Sequence, residues 1–486
     1  MMAETNWRSN DGFVPKVMPR ISLPFIVLLA LLTGAEVHAQ EASPQIAAYS
    51  PQDVRVLSSS QAGTASQTAA YAPQDARAGP LERDIRTLLY YLGPLDRLPF
   101  KLAIDQNVFY NDNIQLIPNN TATPTGFSRS DFYSTTNLNG ALKFPIGPHT
   151  FFVNGGYGLV RYARNPQLNS DNYHVNGGLA WSLGSHCTGD IIGALASYQA
   201  PFYQQDLINQ INVVSNLSAT AGARCHVADR IYAVAGGGWR QYTNSLSQFT
   251  SNNRDQTFES VGLTYEGGAL DQFGVRATFI HRVFTDRPAV VDPTLSQSLD
   301  QRNYTFNFQR TITPRINVSG SAGVTQVQGH QAVSTSSNTW PIYTVSLSWN
   351  LTPKISLGYN LSRAIIAPQG LSSDLQSVNS QLVTIGYQFS PRLSFSAQLG
   401  RTDLSNQTLN GGINTNIAFQ NQRILLAGLL ATYRASPLLS FTGSYYYNDR
   451  QDLITGVRAT ANVFMIGLSY HGNGYYVNGG SGPVID

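Results

Sequence analysis

The 486-residue sequence has few charged residues, two cysteines and a single long apolar run. Only 12% of the residues are charged, the net charge is +3, and no basic cluster indicates a nucleic-acid partner. The apolar run, Ile21–Leu32, is too short to span a membrane as a helix. Small residues suited to signal peptidase follow at Val37 and Ala39. Residues 1–39 are therefore predicted to be a signal peptide, with an uncleaved anchor as the alternative.

Catalytic and cofactor-binding motifs are also lacking. The histidines are scattered among predicted turns, strand ends and loops, and no pair of acidic residues suggests general acid–base chemistry. Glycine runs such as Gly236–Gly238 lie within predicted strands and do not precede helices, so they are not phosphate-binding loops. The sequence predicts a protein that is not an enzyme, with no cofactor and no catalytic metal.

A Ser/Thr-Pro turn motif recurs along the second half of the chain, as TPRI, TPKI, SPRL and SPLL. Its prolines are Pro314, Pro353, Pro391 and Pro437, spaced by 39, 38 and 46 residues. Proline suits the second position of a tight turn but cannot donate to a central β-ladder. Each copy follows one alternating segment and precedes another. The motif predicts periplasmic turns along one rim of a β-barrel.

The alternating segments have one apolar face and one neutral polar face. After Pro353, the apolar face carries Ile355 and Leu357, whereas the other face carries Ser356 and Asn360. A water-soluble sheet would normally place many Lys and Glu residues on the polar face. An apolar exterior around a neutral polar interior is typical of a transmembrane barrel. The predicted fold is all-β, a transmembrane antiparallel β-barrel.

Eight short turns and nine longer polar stretches predict about 18 strands, with 16 as the alternative, over residues 100–470. The longer stretches are predicted to be outer loops, at residues 112–129, 165–171, 201–211, 245–254, 286–299, 329–339, 368–378, 406–417 and 451–456. Both chain ends of the barrel would then be periplasmic, as expected in the outer membrane of a Gram-negative bacterium. A barrel of this size encloses an aqueous channel and not a side-chain core.

Three segments flank the predicted barrel. Residues 40–80 are rich in Ala, Ser, Gln and Pro and are predicted to be disordered. They contain a duplicate, AAYSPQDVR and AAYAPQDAR, which is either slippage in a linker or a pair of docking motifs for a periplasmic partner. Residues 81–99 are predicted to form a short helix or a plug. Residues 471–486 form a C-terminal tail.

Cys187 and Cys225 are predicted at the periplasmic ends of two neighbouring antiparallel strands. In an oxidising compartment this placement favours a disulfide. His186 and His226 lie beside the cysteines, so a Cys₂His₂ metal site and two free thiols remain as alternatives.

Inward-facing charges are few in the predicted strands. Alternation places Arg224, Glu266, Arg276 and Arg282 in the polar phase of neighbouring strands. Either they line one side of the lumen and bias permeation, or they form one structural ion-pair cluster.

The segment DQNVFYNDNI (Asp105–Ile114) forms a first strand that runs into a loop through Asn-Asp-Asn. This segment and the Thr/Ser-Pro-Arg turns resemble the β-barrel porin-2 family over about residues 100–470. The resemblance implies a conduit for export of an exopolysaccharide, with a periplasmic polysaccharide export protein as partner and outer-membrane lipid around the barrel. A general diffusion porin for small hydrophilic solutes and a structural or adhesive barrel are the alternatives.

Overall fold

The computed structural model describes residues 100–200, 212–267, 271–287, 296–330, 335–367, 375–407, 421–436 and 439–471. The predicted signal peptide, the linker with its duplicated motif, the predicted helix or plug, and residues 472–486 of the tail lie outside these residues, as does Pro437. Within the described residues, no helical segment has the length and hydropathy of a membrane-spanning helix.

Eighteen β-strands make up the described part of the chain, which confirms the predicted fold class. Their bounds are β1 Phe100–Asn111, β2 Asp131–Ile146, β3 His149–Tyr162, β4 Ser170–Leu183, β5 Cys187–Gln199, β6 Val213–Ala228, β7 Ile231–Asn244, β8 Arg254–Glu266, β9 Asp271–Phe284, β10 Ser298–Thr313, β11 Ile316–His330, β12 Thr335–Asn350, β13 Ile355–Ile366, β14 Leu375–Gln388, β15 Leu393–Gln407, β16 Asn421–Arg434, β17 Leu439–Asp452 and β18 Arg458–His471.

Every strand pairs antiparallel with the strands that precede and follow it in the sequence. β1 pairs with both β2 and β18, so the sheet closes on itself. Closure satisfies the backbone N–H and C=O groups that an open sheet edge would expose to lipid.

Side chains alternate between an outer apolar face and an inner face. On β15, Phe395 and Leu399 are exposed on the outside, whereas Ser394 and Thr402 are buried on the inside. Strands on all sides of the barrel place large apolar side chains outward, including Val261 on β8 and Ile466 on β18. An apolar outer band around a closed barrel is the property that allows it to span a membrane.

The Ser/Thr of the repeated turn motif accepts hydrogen bonds from backbone N–H groups of the turn. The Thr313 Oγ1 accepts from the N–H of Arg315, and the Ser390 Oγ accepts from the N–H groups of Arg392 and Leu393. Such side chains satisfy backbone donors that no strand partner can reach. This role explains why the proline is preceded by Ser or Thr. Pro314, Pro353 and Pro391 all lie in these short turns.

Several strands extend further than the sequence predicted. Residues 329–339 were expected to form a loop, but β11 continues to His330 and β12 begins at Thr335. Residues 375–378 likewise belong to β14. The prediction was wrong at residues 335–339 because this strand end is polar on both faces. It was wrong at residues 375–378 because Leu375 and Val378, three positions apart, break the alternation.

Candidate functional site

The lumen is the candidate site, and much of its lining is neutral and polar. On β10 and β11, Gln301 donates from Nε2 to the Thr325 Oγ1 (3.1 Å), and both side chains are buried. On β1 and β2, the Asn107 Nδ2 donates to the Thr135 Oγ1 (3.2 Å). These groups can exchange hydrogen bonds with a hydrated solute but carry no charge of their own.

The loop between β1 and β2 folds into the lumen. Ile114 packs among inward-facing apolar side chains of β1, β2, β3, β16, β17 and β18, and Leu116 packs on Ala459 and Ala461 of β18. Both loop side chains are almost fully buried. The loop therefore narrows the lumen on this side of the barrel.

Polar contacts hold this loop in place. The Arg129 guanidinium donates to the carbonyl oxygens of Ile117 (2.8 Å) and Pro118 (3.1 Å). The Asn165 Oδ1, on the loop after β3, accepts from the N–H of Ser128 (2.8 Å). Two neighbouring loops are thus tied together at the long-loop mouth of the barrel.

A second apolar cluster occupies the lumen beside β9 to β14. It contains Phe284, Leu299 and Val327 together with Ile365 and Leu375, which flank the β13–β14 loop. From β8, the Arg254 Nη2 approaches the carbonyl oxygen of Ala367, at the start of that loop (3.5 Å). β8 is therefore in contact, across the interior, with the loop that follows β13.

Arginines are concentrated on the inward-facing positions of β6 to β9. The Arg282 guanidinium donates to the amide oxygens of Gln256 (2.9 Å) and Gln301 (2.6 Å). Arg240 and Arg254 lie over the rings of Phe258 (5.0 Å) and Tyr242 (4.4 Å). On these four strands, five inward arginines accompany one inward glutamate. The inner face of these four strands therefore carries a net positive charge. The five are Arg224, Arg240, Arg254, Arg276 and Arg282.

The four charges proposed from the sequence all occupy inward-facing positions, but the structure does not gather them into one group. Arg224 forms an ion pair with Glu266 near the short-turn end of these strands. Arg276 lies six residues along β9 from Arg282, a separation of about 20 Å along a strand.

Sequence reasoning missed Arg240 and Arg254. The polarity of residues 245–254 predicts a loop there, whereas Arg254 is the first residue of β8. The glycines around Arg240 obscure the alternation of β7. The alternating pattern of Arg254, Gln256 and Phe258 was the signal that could have identified the start of β8.

Cys187 and Cys225 are directly paired residues of β5 and β6, and the structure joins them by a disulfide with a Cα–Cα distance of 4.1 Å. Both cysteines face outward, like the exposed Leu183 and Leu195 on the same face of the sheet. His186 and His226 lie nearby, with ring centroids 6.4 Å apart. Among the described residues, no group of three or more His, Cys, Asp or Glu side chains is placed to hold a metal ion.

The Asn-Asp-Asn segment completes the contact between the first and last strands. β1 pairs with β18 only as far as Asn111, and the loop beyond it continues along the edge of β18. The Asp112 carboxylate accepts from the N–H (2.7 Å) and Nδ2 (2.6 Å) of Asn462, and the Asn113 Nδ2 donates to the Thr460 carbonyl (2.8 Å). Side chains therefore satisfy β18 backbone groups where β1 has ended.

The sequence matches no family model and no curated protein. Its fold is similar to solved outer-membrane porins. OpdL of Pseudomonas aeruginosa is 10% identical, with a TM-score of 0.41 over 76% of this chain and 99% of that one. A BenF-like porin of Pseudomonas fluorescens Pf-5 is 10% identical, with a TM-score of 0.43 over 76% of this chain and 98% of that one.

A third similar structure is OccK2 (OpdF) of Pseudomonas aeruginosa, solved in complex with glucuronate. It is 9% identical, with a TM-score of 0.44 over 77% of this chain and 97% of that one. With TM-scores below 0.5, these likenesses assign neither the cargo nor the lumen residues of this chain. The resemblance to the β-barrel porin-2 family rests on the sequence motifs alone.

Proposed function

We propose that this chain is an outer-membrane porin of a Gram-negative bacterium through which small hydrophilic solutes diffuse, with anionic solutes favoured. The observation that carries the proposal is a lumen narrowed by an inward-folded loop, with arginines along one side. A narrow polar passage admits small hydrated solutes, and a positive potential raises the local concentration of anions.

The narrowing favours this function over the exopolysaccharide conduit that the family resemblance implies. A hydrated polymer needs a continuous wide lumen. In this barrel, apolar side chains fill the interior beside β16, β17, β18, β1, β2 and β3, and again beside β9 to β14. The proposed partner, a periplasmic polysaccharide export protein, would dock on the segment before residue 100, and that segment lies outside the described residues.

Planar-bilayer recording of the full chain tests the proposal. The intact protein should conduct small ions, and its reversal potential in a salt gradient should indicate a preference for chloride over potassium. One charge about 8 Å from the permeating ion, at a dielectric constant of about 40, is worth about 1 kcal/mol, or about fivefold in permeability ratio. Arg282→Gln should therefore reduce the preference by up to that factor.

Arg302→Gln is the matched control, because Arg302 is exposed on the outer face of β10. It should leave the reversal potential unchanged. Absence of conductance would favour a structural or adhesive barrel. Two results together would favour the exopolysaccharide conduit. The protein would conduct only after residues 40–93 are removed, and deletion of the gene would abolish secretion of the polymer.

A further inference from the structure

Arginines occupy the outer face of β13 to β18 on the extracellular side of the apolar band. On β15, Phe395, Ala397 and Leu399 face outward and are followed towards the extracellular loop by Arg401 and Asp403. The same change from apolar to charged residues occurs on β13, β16 and β18, at Arg363, Arg423 and Arg458.

Strand register brings these charges together. Asp403 is paired with Arg423. On one side of this pair, Asn379 links Asp403 to Arg363, and on the other side, Gln451 links Arg423 to Arg458, so all six residues form one row across the sheet. Arg401 and Asp449 lie in the adjacent row, on the periplasmic side. We call these six charged residues the outer arginine patch: Arg363, Arg401, Asp403, Arg423, Asp449 and Arg458.

The outer arginine patch has more positive than negative charge, with four arginines and two aspartates. Asp403 accepts from Arg401 (2.7 Å) and Arg423 (2.8 Å), and Asp449 accepts two hydrogen bonds from Arg458 (2.6 and 2.7 Å). Since a guanidinium has five N–H donors, the patch retains donors for an external acceptor.

The patch lies at the depth of the outer-leaflet headgroups. The strands that carry it have 12 to 15 residues, whereas about 9–11 tilted residues span the hydrocarbon region. An outward arginine costs about 2–4 kcal/mol at the bilayer midplane but close to nothing at the interface. The charged ends of these strands therefore extend beyond the apolar band.

An apolar groove lies on the outer face of β14 to β17, separated from the patch by one row of outward side chains. Its volume is about 420 Å³, and Ile385, Leu429 and Tyr445 line it around the small residues Ala397 and Gly443. Ala397 is four residues from Arg401, about 13 Å along the strand and about 10 Å in depth for a strand tilted by about 40°. A Cβ atom added at Gly443 would meet nothing within 4 Å. The groove thus has room for an acyl chain.

We propose that the outer arginine patch and this groove form a binding site for a phosphorylated acyl lipid of the outer leaflet. The arginines donate to the phosphate oxygens, for which the planar guanidinium is well suited, and the groove holds one acyl chain. A second copy of this chain is the competing occupant. Its apolar surface would fill the groove but would remove the arginines from water without supplying phosphate.

The test is a titration of the full chain, purified in detergent, with diphosphorylated lipid A by native mass spectrometry. Arg401→Gln/Arg423→Gln removes two donors and should weaken binding at least tenfold. Arg310→Gln/Arg315→Gln removes the same charge at the periplasmic end of the barrel, where both residues are exposed, and should leave binding unchanged.

Gly443→Leu should fill the groove and weaken lipid A binding without affecting folding, because the added side chain points into open space. Gly193→Leu is its control, since Gly193 faces equally open space on β5. Phosphatidylethanolamine should bind more weakly than lipid A, and millimolar inorganic phosphate should not displace lipid A. Single-channel conductance of the arginine double variant should equal that of the wild type, which separates this site from the proposed channel function.

Equal lipid A affinity of the wild type, the arginine double variant and Gly443→Leu would overturn the proposal. Displacement of lipid A by inorganic phosphate would overturn the role of the groove. If Gly443→Leu changed the oligomeric state and not lipid binding, the groove would be an interface between copies, and the proposal would again be wrong.

Discussion

The bond between Cys187 and Cys225 permits a quantitative test of the barrel's stability. The bond joins residues 38 positions apart, at the short-turn ends of β5 and β6. In the loop-entropy model, closing a loop of this length lowers the entropy of the unfolded chain enough to stabilise the folded state by about 4 kcal/mol at 25 °C. Cys187→Ala/Cys225→Ala should therefore lower the free energy of unfolding by up to this amount.

Urea unfolding in detergent micelles, followed by tryptophan fluorescence, measures the loss. With a slope of about 3 kcal/mol per molar urea, the midpoint should fall by about 1.3 M. The wild type in dithiothreitol should unfold at the same midpoint as the double variant, and dithiothreitol should not change the variant. Equal midpoints for the oxidised wild type and the double variant would refute the reasoning, as would maleimide labelling of the unreduced, denatured wild type.

Three further changes test the first loop and the strand packing. Asp112→Ala removes both acceptors of Asn462 and should lower the temperature at which the barrel unfolds in a heat-modifiability gel, whereas Asp112→Asn, which keeps one acceptor, should restore part of the loss. Gly323→Ala would place a Cβ against the Tyr304 carbonyl oxygen and should destabilise the barrel by about 1–3 kcal/mol in urea. Arg129→Ala releases the inward loop and should raise single-channel conductance. Unchanged conductance would mean that this loop does not limit permeation.

The barrel itself was predictable because its signals are local. A proline after Ser or Thr restricts the chain to a turn, and the residues beyond Pro353 alternate with period two, so strand number and sidedness follow from counting. The same reasoning fails at polar strand ends such as residues 335–339. A strand end outside the membrane is in contact with water on both faces, so its residues need not alternate between apolar and polar.

The contents of the lumen were less predictable. Ile114, Leu116 and Ile117 are apolar residues within a stretch that was assigned to an outer loop on its overall polarity. Three apolar residues so close together indicate that the loop packs against the barrel, but they do not indicate which strands it contacts. That contact depends on the β1–β18 closure, which joins residues more than 300 positions apart.

Predicting the outer arginine patch requires both the alternation within each strand and the register between strands. The alternation of β15 and β16 shows from sequence that Arg401, Asp403 and Arg423 face outward, at the strand ends next to an extracellular loop. Whether they meet depends on register, and the register of β15 with β16 depends on where each strand leaves the loop at residues 408–420. A shift of two residues would pair Asp403 with Leu425 and bring Arg423 opposite Ser405. The outer arginine patch is therefore a property of strand pairing, and the lipid titration tests the register as well as the ligand.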